Sequence, residues 1–441
     1  MLGRPDARDP REHVARAPEP ARPRSRLLTE RLSRLISRCR TPTRRAAAPD
    51  LKQKAVTINL RPPHFRDPMA LDPSAELPLP IDSELLDTPS ILVDLDQVER
   101  NIASMASLAK RRGMTLRPHA KSHKSTFIAD LQLDAGATGL CLATAGEAEV
   151  MWRHGVADLL LAYPVLGRAK LDRLAPIVEA GSLTMVADSV EVASGYSDLA
   201  CRTGREIAVL IEIDSGMRRA GVPPEQAGAV AVEVDRLPGL RVRGILTHAG
   251  HSHAALDQRG IEEVARDEVR AMQQARETVE RAGVTVEVVS AGSTITTPYL
   301  SSDDGITEVR PGTYVYNDLR TLSRYACTPD QLAVTMLATV VSRGPARATL
   351  NAGSKSITTA STVQHGHGHL VNRPRSGFAL LSEEHGVLEL ATEDDDLRVG
   401  DRVQILPIHV CVWMDLQPEV YGTRGGQVVQ RIRVDAMRRS L

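Results

Sequence analysis

Aromatic side chains are scarce in this sequence: three Phe, seven Tyr and two Trp make up 3% of 441 residues. A close-packed core must therefore be filled by Ala, Val, Leu and Ile from the 42% hydrophobic content. Net charge is missing as well. Lys+Arg and Asp+Glu are both 55, so the chain has no electrostatic footprint for a nucleic acid or an anionic membrane surface. No apolar run approaches the roughly eighteen residues that a membrane-spanning helix requires. The cysteines Cys39, Cys141, Cys201, Cys327 and Cys411 are odd in number and widely scattered. That argues against a disulfide framework and for a reducing, cytoplasmic setting.

What is present divides unevenly along the chain. Residues 1–80 form an Arg/Pro-rich extension with thirteen arginines in the first 45 positions, a composition that reads as disordered. Asp6, Asp9, Glu12 and Glu19, together with the lack of an apolar core, argue against a targeting peptide there. From Thr88 to Arg310 apolar strand-like runs alternate with segments of helical periodicity. The strands read as 90–95, the residues before Lys121, 139–143, 158–163, 183–187, 206–213, 242–247, 284–289 and 305–309. Such alternation specifies a parallel sheet of βα units, and its size fits a (β/α)8 TIM-like barrel. A doubly wound open sheet is the alternative, weakened by the absence of the Rossmann glycine fingerprint. From Ala333 onward only short β runs with turn signals remain, which indicates a small β domain. The boundaries are thus 1–80 extension, 81–325 barrel and 326–441 β domain.

Polar residues fall where a barrel keeps its chemistry. Lys121, Tyr163, Asp188, Asp214, His248 and Ser290 all lie at or just past the carboxyl ends of strands, positions that converge on one face. Lys121 ends the stretch Arg117-Pro118-His119-Ala120-Lys121 and can form a Schiff base with an aldehyde cofactor. Ser290-Ala291-Gly292-Ser293-Thr294 follows a late strand, with small residues that let backbone N–H groups approach an anion. Arg310-Pro311-Gly312-Thr313-Tyr314 lies just beyond. A lysine on an early strand and a phosphate cup on a late one together describe pyridoxal 5'-phosphate.

These motifs resemble the D-serine dehydratase/D-threonine aldolase family. The match extends to Leu86-Asp87-Thr88-Pro89, Ala145-Gly146-Glu147-Ala148-Glu149, Ile213-Asp214-Ser215-Gly216-Met217-Arg218-Arg219-Ala220-Gly221, Glu383-Glu384-His385-Gly386 and His409-Val410-Cys411. The resemblance implies an alanine-racemase-type barrel (fold type III of pyridoxal-phosphate enzymes) with a smaller C-terminal β domain. It implies that Lys121 carries the cofactor, with His119 and Tyr163 near its ring and Arg219 as the family's arginine there. Ser290, Gly292, Ser293 and Thr294 would hold the phosphate, joined by Gly312 and Tyr316. Asn351 stands where the family has aspartate.

His409 and Cys411 are two residues apart, so in an extended strand imidazole and thiolate would face the same side. By the resemblance the pair holds a divalent metal, with zinc suited to the thiolate and manganese or magnesium as alternatives. The implied function is a lyase on a D-β-hydroxy-α-amino acid, a small-molecule substrate. It either dehydrates it to a keto acid and ammonia or cleaves it to glycine and an aldehyde. A racemase and a non-catalytic cofactor carrier are the other readings of the same fold. A homodimer is the family expectation.

Overall fold

In the computed structural model, residues 75–439 are described, apart from 363–364, 374 and 392–395. Most of the expected extension lies outside the described residues. Eight parallel strands form one sheet: β3 (Thr115–Leu116), β4 (Leu140–Leu142), β5 (Leu159–Leu161), β6 (Leu183–Ala187), β7 (Ile207–Ile213), β8 (Leu240–Thr247), β9 (Val288–Ala291) and β10 (Glu308–Val309). From β4 to β10 each pairs with the next, and β10 pairs with β3. A parallel bridge between His119 and Cys141 joins the ends. Cys141 N–H donates to Pro118 O at 2.8 Å and Thr138 N–H to Leu116 O at 2.9 Å, closing the sheet into a barrel.

Helices α1 (Leu95–Arg111), α2 (Thr126–Asp134), α3 (Ala145–His154), α4 (Arg168–Glu179), α5 (Val190–Thr203), α6 (Ala227–Asp235) and α7 (Gln258–Arg281) alternate with these strands. Their starts follow sequence signals. Asp94, Thr144, Ser189 and Asp257 each accept a backbone N–H from the first turn of their helix, which satisfies a donor that would otherwise lack a partner.

The second sheet is antiparallel apart from one pairing and holds two short N-terminal strands, β1 (Leu79–Pro80) and β2 (Ser90–Asp94). The rest come from β11 (Val334–Gly344), β12 (Arg347–Leu350), β13 (Gly368–Leu370), β14 (Gly377–Leu381), β15 (Gly386–Glu389), β16 (Arg402–Pro407), β17 (Glu419–Arg424) and β18 (Gln427–Arg433). Here the structure corrects the sequence reading: the strand at 90–95 forms, but outside the barrel. It lies between β11 and β17. Its Ile91 and Val93 pack into the large C-terminal core, while Leu92 packs with Leu79, Leu86 and Tyr421. The strand expected at 284–289 forms instead at Val288–Ala291. The β17–β18 hairpin was not anticipated, although Gly425-Gly426, both at positive φ, is a two-residue hairpin signal.

The barrel interior is two-sided. Cys141, Leu160, Val186, Leu210 and Leu246, one from each of five strands, make an apolar layer. Ser290 and Glu308 stand in register with Leu246 and so point inward too. Arg117 completes that polar side. Its Nε donates to Glu308 Oε2 at 2.7 Å and its Nη1 and Nη2 to the Asp158 carboxylate at 2.9 and 3.0 Å. Burial opposes the guanidinium's charge, but Glu308 and Asp158 outweigh it and raise its pKa. Ser290 Oγ donates to Glu308 Oε1 at 2.5 Å and accepts from Arg310, whose other nitrogen donates to Thr247 O. Removing Arg117 would strand the Glu308 carboxylate, whose side chain is 6% exposed. We expect Arg117→Met to lower unfolding free energy by about 3 kcal/mol in denaturant titrations; a loss below about 0.5 kcal/mol would contradict this.

Candidate active site

The alternation that turns Arg117 and His119 inward delivers the chain to a short 3-10 turn, Ala120–Ser122, at the carboxyl mouth of the barrel. Lys121 lies on this turn and lines a cavity of about 570 Å³. It also lines a second cavity of about 480 Å³. His119, Arg219, His248 and Arg310 border both.

Two lysines occur here, and their surroundings differ completely. Lys124 is buried at φ +53°. Its Nζ lies 2.9 Å from Glu147 Oε1 and 3.1 Å from Asp415 Oδ1. Burial disfavours its charge, but Glu147 and then Asp415 overcome this and raise its pKa. Lys121 has no hydrogen bond or ion pair among the described residues and is half-buried. Lys124 is held by two carboxylates, whereas the Lys121 amine has no partner among the described residues.

Beside Lys121, burial first, then Lys121 and Arg310, push the His119 imidazole well below its ordinary pKa. The same causes act on His248. Both rings are neutral near pH 7, and His119 Nδ1 has no hydrogen-bond partner among the described residues. Arg219 reaches the cavities from a loop shaped by two carboxylates. Asp214 Oδ1 accepts from the N–H groups of Gly216 and Arg218 at 2.9 Å each, and Asp188 Oδ2 from Gly221 N–H at 3.2 Å. Glu212, buried and bordering the second cavity, has its pKa raised by burial.

The expected phosphate residues separate into two groups. Ser293, Thr294 and Gly312 line the larger cavity. Ser290 does not; its hydroxyl is held between Glu308 and Arg310. Gly292 lies behind the wall at φ +79°, and its N–H donates to the buried Glu268 Oε1 at 2.9 Å. Ser293 Oγ turns back to accept from Ile295 and Thr296 N–H. The N–H groups of Thr294, Gly312 and Thr313 have no acceptor among the described residues. These three donors fit an anion. Gly312 is needed for its size, since a Cβ there would meet Ser122 Oγ at 2.7 Å and His119 O at 3.1 Å. Tyr163 is 56% exposed and borders only the second cavity. Tyr316 is fully buried and borders neither.

His409 and Cys411 meet at the larger cavity, but not on a strand as expected. His409 is the extended N-cap of a helix, Val410–Leu416, whose second residue is Cys411. Burial works against both charged forms. Even so, Cys411 and Asp318 push His409 up to about 10, and His409, then Ser122, pull the Cys411 thiol down. Together they supply a nitrogen and a sulfur donor suited to a soft divalent ion. No group of three or more such donors occurs among the described residues. Cys411 Sγ is 3.3 Å from Ser122 Oγ and 3.8 Å from Thr313 Oγ1, so the pair adjoins both the Lys121 turn and the anion cup.

Asp318, Arg320, Glu308 and Glu268 were not singled out from the sequence. Asp318 is 1% exposed. It accepts from Thr321 N–H at 2.8 Å in a capping box, and from His409 Nδ1 and Val410 N–H at 3.2 Å each. An Asp followed three residues later by Thr was the legible part of that signal. Its tertiary bond to His409 was not. Asn351 does not border either cavity; it holds Thr88 and Thr339 together.

The alanine racemase N-terminal domain family matches residues 93–319, and the putative serine dehydratase domain family matches residues 333–423. D-threo-3-hydroxyaspartate dehydratase of Delftia sp. (strain HT23) is 34% identical over 74% of this chain and 91% of its own length. The crystal structure of D-threonine aldolase from Filomicrobium marinum superposes with a TM-score of 0.76 at 29% identity, covering 82% of this chain and 98% of that one. A cysteine-to-alanine mutant of D-threo-3-hydroxyaspartate dehydratase, in the metal-free form, superposes with a TM-score of 0.73 at 30% identity, over 79% and 97%.

The two lysines give separable expectations. Lys124→Met leaves Glu147, 1% exposed, without its cation and should cost about 3 kcal/mol of stability in thermal or chemical unfolding. Lys121→Met should change stability by less than about 0.5 kcal/mol. Equal losses would contradict the assignment.

Proposed function

The chain belongs to the D-serine dehydratase/D-threonine aldolase family, and on that premise we propose how its own residues perform the family's chemistry. It is a pyridoxal-phosphate-dependent lyase of D-β-hydroxy-α-amino acids. We assign the cofactor to Lys121. The observation that carries this is the contrast in the cavity wall: Lys124 is locked by two carboxylates, and Lys121 has no partner among the described residues.

The N–H groups of Thr294, Gly312 and Thr313 take the phosphate, on a turn that Ser293 shapes. Ser290 and Gly292 support that cup from behind, through Arg310 and Glu268. Arg219 faces the ring from its loop, and Tyr163 approaches from the second cavity. Tyr316 belongs to the supporting core near Cys411. His409 and Cys411 hold the divalent ion. A thiolate ligand favours zinc over manganese or magnesium, and Asp318 fixes the His409 ring from its Nδ1 side.

When bound, the cofactor takes up the electron pair released at Cα, and the ion draws electron density from the β-oxygen. Lys121 Nζ, released by the incoming substrate amine, is the base placed to move the α-proton. His119 and His248 stay uncharged beside it, so they orient by hydrogen bonding without competing for that proton at neutral pH. If the β-hydroxyl then departs, the products are a keto acid and ammonia. If the β-hydroxyl proton is removed instead, the Cα–Cβ bond breaks to glycine and an aldehyde. The soft His409–Cys411 pair favours the first course.

The protein works as a cytoplasmic homodimer. Tyr163 and Leu166, 56% and 62% exposed on the rim of the second cavity, are apolar surface that a second copy would cover.

Product analysis tests the reading. With D-serine or another D-β-hydroxy amino acid and zinc, we expect keto acid plus ammonia, lost on chelation and in Lys121→Ala. Glycine plus aldehyde would assign the aldolase course, and an L-enantiomer formed despite chelator would contradict the lyase mechanism.

A further inference from the structure

The charges around the larger cavity do not balance. Its wall carries Lys121, Lys124, Arg219, Arg310 and Arg320, against two carboxylates, Glu147 and Asp415. Both carboxylates are taken by Lys124. Arg310 is held by Ser290 Oγ and Thr247 O, and Arg219 stands near Glu212. The Arg219 and Arg320 guanidinium groups both lack an ion pair and a hydrogen bond among the described residues, but Arg219 is exposed whereas Arg320 is half-buried.

The position of Arg320 is fixed. It belongs to the helical turn Leu319–Leu322, whose capping box is built on Asp318. That same Asp318 carboxylate holds His409 Nδ1. Across the cavity His253 lines the wall, on a turn held by Arg324 Nε donating to His253 O at 2.9 Å. The His253 imidazole feels Arg320, Asp318 and His409 together, after burial, so these four groups form one cluster. Arg320 therefore stands at the end of the cavity where His409 and Cys411 lie. In the proposed reaction that is where the β-carbon and its substituents sit.

We propose that Arg320 is a specificity-determining residue that binds a carboxylate carried on the β-carbon of the substrate. The preferred substrate class is then a D-configured β-hydroxy dicarboxylic amino acid. A planar guanidinium presents paired donors that match a carboxylate edge to edge. It is half-buried, and the Asp318 carboxylate in the same cluster is already taken by Thr321, His409 and Val410, so it favours a substrate that supplies an anion of its own. This rests on the lyase reading above and adds to it the identity of the side chain.

The test compares kcat/KM for D-threo-3-hydroxyaspartate with that for D-threonine and D-serine, using the full chain loaded with pyridoxal phosphate and zinc. The wild type should prefer the dicarboxylate. In Arg320→Met the ratio of dicarboxylate to monocarboxylate kcat/KM should fall on the order of 100-fold, and Arg320→Lys should restore part of it. A structural role, or a role in binding the α-carboxylate or the phosphate, would lower all three substrates together and leave the ratio unchanged, which overturns the proposal. A wild-type preference for D-threonine or D-serine also overturns it, while leaving the lyase reading intact. Wild-type protein inactive on all three substrates would remove the lyase reading and this inference with it.

Discussion

The ionic lacing through one half of the barrel is the constraint on which the site depends. Asp158, Arg117, Glu308, Ser290 and Arg310 run in one connected series from the amino-terminal end of β5 to the mouth. Parallel barrels usually fill their interior with branched apolar side chains, and here only the other half does so. Each charged member is ion-paired or hydrogen-bonded, as buried charges must be. The series also fixes geometry: Arg117 ties the strand that leads to Lys121 against β10, and Arg310 ties the strand beneath the anion cup to the carbonyl of Thr247. Lysine and cup are thereby held at one mouth, although about 170 residues separate them in sequence.

A second set of contacts joins that mouth to the C-terminal sheet. Lys124 reaches Asp415 as well as Glu147, its carbonyl accepts from Ala436 N–H, and Asp435 accepts from both the N–H and the hydroxyl of Thr126. Asp318 reaches from the end of the barrel segment to His409 and Val410. The His409–Cys411 pair is therefore positioned by barrel residues as much as by its own helix. The left-handed backbone at Lys124 is a strained position for a residue with a Cβ, and two ion pairs hold it there.

Periodicity made the barrel legible: strand and helix patterns alternate cleanly, and caps such as Thr144 and Asp257 mark where helices begin. The strand at Ser90–Asp94 was misplaced because its residues are equally suited to either sheet; only pairing partners 240 or more residues away decide between them. Residue types drew attention to Lys121 and to the small residues Ser293 and Thr294, which line one cavity. Which atoms are free was not legible. Ser290 looks like a phosphate ligand until Glu308 and Arg310 claim its hydroxyl, and Gly292 until Glu268 claims its N–H. Arg320 reads in the sequence as one more surface arginine, because the lack of a counter-charge is a property of the fold.

The central claim is that Lys121, not Lys124, is the reactive amine at the mouth of the barrel. Treating the cofactor-loaded protein with borohydride fixes the cofactor irreversibly to the amine that holds it, and peptide mass analysis then locates it. The account predicts a phosphopyridoxyl group on Lys121 alone. Finding it on Lys124, or finding no lysine of this segment labelled, would contradict it.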